Sequence, residues 1–158
     1  MFEIIMYLFE SYIQVDQTME LDTQEVTDEL MQEGFQKSEI HKALAWLDNL
    51  ANMHNQEPQS RTIAEKTTSH RIYNKIEQRQ ISLESRNYIS YLEEAKILTT
   101  HTREMVIDCI MSLDSDGELI LEDVKWLILM VLFNDPVSDD AFLQLESMLM
   151  DFEEGLIH

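Results

Sequence analysis

Apolar residues recur at helical spacing along most of the chain, and the places where that rhythm breaks mark the elements. Phe2, Ile5, Met6, Phe9 and Ile13 form one stripe with Leu8 and Tyr12 beside it, so residues 2–15 predict a first helix, closed by the polar stretch Asp16 to Glu20. Asp22 or Thr23 stands where a second helix needs its cap; Val26, Leu30 and Met31 face inward, and Gly34 takes the left-handed stop without a steric penalty. Phe35 follows as an anchor. Ser38 is the expected cap of a third helix, with Ile40, Ala43, Leu44, Leu47, Leu50 and Ala51 on one face and Trp46 at its edge.

After His54 the chain turns polar, and Pro58-Gln59-Ser60 reads as a connector. Residues 61–76 have two readings: a basic β-hairpin of two short alternating strands, or a flexible linker leading to one strand at Arg71 to Asn74. Four further helices are predicted at about 82–96, 101–113, 121–134 and 138–153. The run Trp126 to Phe133 is apolar at all eight positions, so its helix has no face to offer water. It is far shorter than the roughly 18 residues a membrane span needs, and reads as a buried core helix.

Composition narrows the class. With 158 residues, 44% hydrophobic and 27% charged, the chain can bury a sizeable core. Only three Gly and two Pro occur, which argues against turn-rich β folds and Gly-rich phosphate loops. The single cysteine, Cys109, lies in the amphipathic stretch Met105 to Ile110 and reads as a small buried side chain. One cysteine cannot close an internal disulfide, and the opening residues carry Glu3 where a secretory signal carries Lys or Arg, so a cytoplasmic protein is expected.

The net charge is −20, divided as −9 over residues 1–56, +1 over 57–100 and −12 over 101–158. Such a field repels free nucleic acid and anionic membrane, and attracts basic protein surfaces. The order of elements resembles a winged helix-turn-helix, whose third helix reads DNA while a basic wing touches phosphate. The chemistry fits less well, because the third helix offers Glu39, His41, Lys42, Ala45, Asp48 and Asn49, a nearly neutral surface. Arg61, Lys66, Arg71 and Lys75 are the candidate contacts of the wing to nucleic acid or to a partner. The Gly34-Phe35 turn is also similar to that of small three-helix ubiquitin-binding modules.

Ser112 to Asp123 looks like a calcium-binding EF-hand loop, with Asp114, Asp116 and Gly117 in place. However, Ser112 stands where the first carboxylate should be, and Asp123 where a bidentate Glu should be, so an acidic turn is the better reading. Histidines 41, 54, 70, 101 and 158 lack ligand spacing. No nucleophile pairs with a base, so neither an enzyme nor a cofactor is expected.

The opening Met1 to Glu10, Arg71-Ile72-Tyr73, Thr102 to Asp108, Lys125 to Asn134 and the closing Glu154 to His158 resemble the bacterial Smg family over essentially the whole chain. The resemblance carries no catalytic residues, and implies a gene commonly near that of a DNA-processing protein. The sequence therefore predicts a mainly α protein: a winged-helix-like three-helix unit over 1–56 with a short β-hairpin or strand in a basic connector at 57–80, then a four-helix unit over 81–158. The expected function is a non-enzymatic adaptor or regulator that binds a basic, nucleic-acid-processing protein through acidic helical faces. The alternative is weak DNA or RNA binding by the central basic segment. No membrane partner is expected, and self-association stays open.

Overall fold

The computed structural model describes residues 1–13, 22–55, 70–113, 119–135 and 139–157. Its regular elements are α1 (Phe2–Ile13), α2 (Thr23–Gln32), α3 (Lys37–Asn55), α4 (Lys75–Gln80), α5 (Leu83–Glu94), α6 (Thr100–Ser112), α7 (Leu121–Asn134) and α8 (Asp139–Ile157).

Local chemistry sets several of the ends. Asp22 caps α2 by accepting the Gln24 N–H at 2.9 Å. Gly34, at φ +98°, reverses the chain, and Phe35 N–H then reaches Leu30 C=O at 3.1 Å while Gly34 N–H reaches Met31 C=O at 3.2 Å. A side chain at Gly34 would have open space, so the positive φ alone demands glycine there. The same double closure ends α5, where Ile97 N–H bonds Leu92 C=O at 2.9 Å, but Lys96 occupies the left-handed position at φ +59°.

The winged-helix expectation fails. Among the described residues there is no strand, only an isolated parallel bridge between Ile81 and Leu119. The segment expected as a strand, Arg71 to Asn74, runs directly into α4. Asn74 accepts the N–H groups of Ile76 and Glu77, both at 2.9 Å, while Glu77 takes the Asn74 N–H at 2.9 Å. This reciprocal capping box commits the backbone to a helix and leaves no ladder for a hairpin to extend. The first half of the expected hairpin, residues 61–69, lies outside the described residues.

The core forms around α6 and α7. Val124, Leu127, Ile128, Met130, Val131 and Leu132 are all essentially inaccessible, and Leu129 is 5% exposed. α7 packs on α3, α5, α6 and α8, leaving Trp126 and Phe133 half-buried, and α3 also takes α1 and α2. Even Lys125 is buried; its ammonium reaches Glu122 at 3.1 Å and lies 5.6 Å from the centre of the Tyr88 ring. Trp46, buried rather than at the edge of α3, donates its indole N–H to Cys109 C=O at 3.2 Å and to Ser112 Oγ at 2.8 Å, tying α3 to the end of α6. Cys109 is buried as its pattern predicts, and burial pushes its thiol up to about 12. Among the described residues no helix is long and apolar enough to cross a membrane.

Two stability outcomes follow from these contacts. Leu129→Ala should cost about 2–5 kcal/mol in chemical denaturation, because its side chain is enclosed by the helices around α7; a loss under about 0.5 kcal/mol would place that side chain at an interface instead. Lys96→Gly should stabilise by about 1 kcal/mol and Gly34→Ala should destabilise by a similar amount, both read as shifts in the urea midpoint at constant slope.

Candidate functional site

α2 owes its position to three buried residues, Val26, Thr27 and Leu30, which turn the rest of the helix outward. Every charged residue that remains is acidic: Asp22, Glu25, Asp28, Glu29 and the C-cap Glu33 are all exposed, and no Lys or Arg lies between Met1 and Gln36. Neighbouring α3 exposes Lys37 and Lys42 against Glu39 and Asp48, and so is neutral. Five of the eleven acids in residues 1–56 therefore stand on α2 and its caps. The Tyr7 hydroxyl of α1 donates to Glu29 at 3.1 Å, and that bond, with the Glu29 and Glu33 charges, raises the phenol above its ordinary value. Met31 remains 47% exposed beside the acids, and the half-buried Phe35 ring lies 6.5 Å from that of Tyr7.

Against the root of this helix lies an apolar hollow of about 310 Å³ between α1, α2, α3 and α7. Leu8 and Phe9, Leu44, Leu47 and Leu50, and Met130 and Phe133 supply its walls; Thr23 and Val26 bring α2 to it. Thr23 and Asn134 are its polar side chains, so it offers no charge to a ligand.

Among the described residues, Arg71 does not stand free as a wing contact would. Arg71 is gripped by two carboxylates: its Nη1 and Nη2 donate to Glu77, both at 2.9 Å, while its Nε and Nη2 donate to Glu104 at 2.7 and 3.1 Å. Arg103 completes the cluster with Nη1 on Glu93 at 2.7 and 2.9 Å and Nη2 on Glu104 at 2.8 Å. The Arg71 guanidinium also sits 4.8 Å from the centre of the buried Tyr73 ring. Hence Arg71 fastens the connector to α6 instead of facing a phosphate. Lys75 is exposed at the start of α4; Arg61 and Lys66 lie outside the described residues. Of the four candidate contacts, Arg71 and Lys75 are the two that fall among the described residues, and there Arg71 is enclosed by carboxylates while Lys75 is exposed.

Sequence reasoning missed both α4 and this cluster. Asn74-Lys75-Ile76-Glu77 is itself a capping-box pattern, and was the available signal. The meeting of residues 71, 77, 93, 103 and 104 had no local signal at all.

The ends of the EF-hand-like segment are also occupied internally. The Ser112 hydroxyl donates to Cys109 C=O at 2.9 Å, and Asp123 is half-buried with its carboxyl raised by burial, although the Ile120 N–H works to lower it. Residues 114–118 between them lie outside the described residues. Among the described residues no group of three metal-ligating side chains converges.

The cluster makes stability depend on pH. Hydrogen bonds from Arg71 hold Glu77 below its ordinary value; at Glu104 burial pulls upward, but the bonds from Arg71 and Arg103 outweigh it and the net direction is down. Folding therefore favours their ionised forms. That contribution is full above the unfolded carboxylate value of about 4.3, and is lost as pH falls through the depressed folded values. Asp108, raised first by burial and then by Glu104, works in the opposite sense over the same range. Arg71→Gln should cost about 2 kcal/mol at neutral pH, with allowance for the partial exposure of the carboxylates, and should flatten the loss of stability below about pH 4.3. Denaturation midpoints measured across acid pH check both. Calcium should bind no tighter than about 10 μM by calorimetric titration, because the terminal ligand positions are Ser112 and Asp123.

Comparison with known proteins finds relatives similar in sequence over their full length. A protein described as "Protein Smg homolog" from Vibrio atlanticus (strain LGP32) is 44% identical over 158 residues, covering 100% of this chain and 99% of the relative. One of the same description from Aeromonas hydrophila subsp. hydrophila is 42% identical, covering 100% of both chains. Another from Vibrio cholerae serotype O1 (strain M66-2) is 42% identical, covering 100% of this chain and 99% of the relative. No solved structure matches. Residues 1–158 match the family described as "Protein of unknown function (DUF494)", and with the full-length likeness to the Smg proteins the chain belongs to that family.

Proposed function

We propose that this protein is a cytoplasmic, non-enzymatic adaptor or regulator that docks on a basic protein surface through the acidic face of α2. The observation that carries this reading is the exposure of Asp22, Glu25, Asp28, Glu29 and Glu33 on one short helix and its caps, a segment whose sequence contains no Lys or Arg. A concentrated negative face accelerates encounter with a positive partner and discriminates against negative ones. Proteins that handle nucleic acid carry such positive surfaces, and an acidic helix laid on one would compete with the phosphates it normally receives.

The nucleic-acid alternative is less well supported, because Arg71 is saturated by Glu77 and Glu104 and cannot also neutralise phosphate without breaking the cluster.

Affinity capture on the full chain from native cells at low salt, with identification of the proteins eluted, tests the proposal. Basic proteins should be retained by the wild type and released as salt rises through the physiological range, where exposed charges are screened over about 8 Å. Glu25→Lys with Asp28→Lys should abolish that retention; Arg61→Glu, Lys66→Glu and Lys75→Glu together should not. Tight binding of duplex DNA at physiological salt, with no protein recovered at low salt, would overturn the reading.

A further inference from the structure

The acidic face and the apolar hollow share a helix. Thr23 and Val26 line the hollow, while Asp22 and Glu25 stand next to them in the chain and remain exposed. Val26 has Asp22 and Glu29 as its neighbours one turn away on either side, so that edge of the helix passes directly from apolar wall to carboxylate. Open apolar concavities of this kind are unfavourable in water, and become favourable when an apolar group displaces that water.

The chemistry of the walls limits what that group can be. A volume of about 310 Å³ is at the lower end for small-molecule sites, and Thr23 and Asn134 provide few polar groups to orient a metabolite. A bulky aliphatic or aromatic side chain needs no such orientation if the backbone carrying it is positioned by something else. The carboxylates of α2 can supply that positioning to Lys and Arg residues flanking the anchor. This is the helix-in-groove arrangement, with apolar anchors below and a complementary charged rim.

We propose that the hollow receives the apolar anchor of a basic amphipathic helix in the partner protein, with its Lys or Arg residues lying along Asp22, Glu25 and Glu29. This rests on the reading of α2 as the docking face and adds the form of the partner: a helix with Leu, Phe or Met on one side and cationic residues beside it, not a diffuse basic surface. Electrostatics then sets the encounter, and the anchor sets the lifetime of the complex.

The test uses the full chain and two synthetic probes: a Lys-rich amphipathic helical peptide with Leu and Phe on its apolar face, and a matched peptide with Ser at those positions. Ala51 lines the hollow and is itself exposed, so Ala51→Trp fills the space from its rim without disturbing the core. The apolar peptide should bind the wild type at least about tenfold more tightly than the Ser peptide, and Ala51→Trp should remove that advantage. Glu25→Lys with Asp28→Lys should weaken both peptides. Equal circular dichroism and thermal midpoints establish that each variant is folded, and shifts of the Met130 methyl resonance on titration report contact independently of substitution.

An unchanged advantage in Ala51→Trp together with a silent Met130 methyl would overturn the groove proposal; the acidic-face reading would survive if the charge variant still weakened both peptides. No effect of the charge variant on either peptide would overturn that reading as well. A dimer in sedimentation equilibrium that Ala51→Trp dissociates would assign the hollow to a second copy, and would also overturn the proposal.

Discussion

A helix that is apolar on every side must be surrounded, and that requirement organises the molecule. The Trp126 to Phe133 run gives α7 no wet face, so α3, α5, α6 and α8 are all recruited to it. α3 is the consequential neighbour, because it carries α1 and α2 on its other flank. Burying α7 therefore joins the N-terminal helices to the C-terminal ones through one continuous apolar cluster that runs from Ile4 to Leu145. The Trp46 indole bonds to Cys109 and Ser112 add a directional polar contact to a junction otherwise held by non-directional burial.

Charge is used in two opposite ways. Around residues 71–104 it is local and compensated: Arg71 and Arg103 share the Glu104 carboxylate and are each matched with a further Glu, which fixes the connector to α6. On α2 the acids are exposed, and the helix carries no Lys or Arg of its own. In a chain of net −20 with only eleven cationic residues, Arg71 and Arg103 commit their charge to Glu77, Glu93 and Glu104, so they are not available to offset carboxylates elsewhere at short range. Arg71 and Arg103 thus serve to hold the molecule together, while the carboxylates on and beside α2 face outward.

The surface beside α2 acquires its character from the same packing. Seating Val26 and Leu30 against α3 turns five carboxylates outward, and the way α1, α3 and α7 converge leaves an apolar hollow at the edge of that face. Neither feature requires an unusual residue. Both result from which side of an ordinary amphipathic helix is covered.

Short-range patterns were enough to locate most of the helices, because the 3.6-residue period, the Asp22 cap and the Gly34 stop are written within a few neighbours of each other. The buried state of α7 was equally legible, since eight consecutive apolar residues admit no other environment. The family was legible too, from stretches spread along the whole chain. Residues 71–76 were misread because β-branched and aromatic residues between polar ones suit a strand, while the capping box of Asn74 and Glu77 favoured a helix, and among the described residues there is no sheet for a strand to join. Tertiary structure alone decided that Arg71 meets Glu104, 33 residues away, and that Asp22 to Glu33 form an exposed acidic edge beside an apolar hollow. Net charge is a sum over the chain and can be read from composition, but where that charge points depends on which helix faces are buried, and only packing between distant segments settles that.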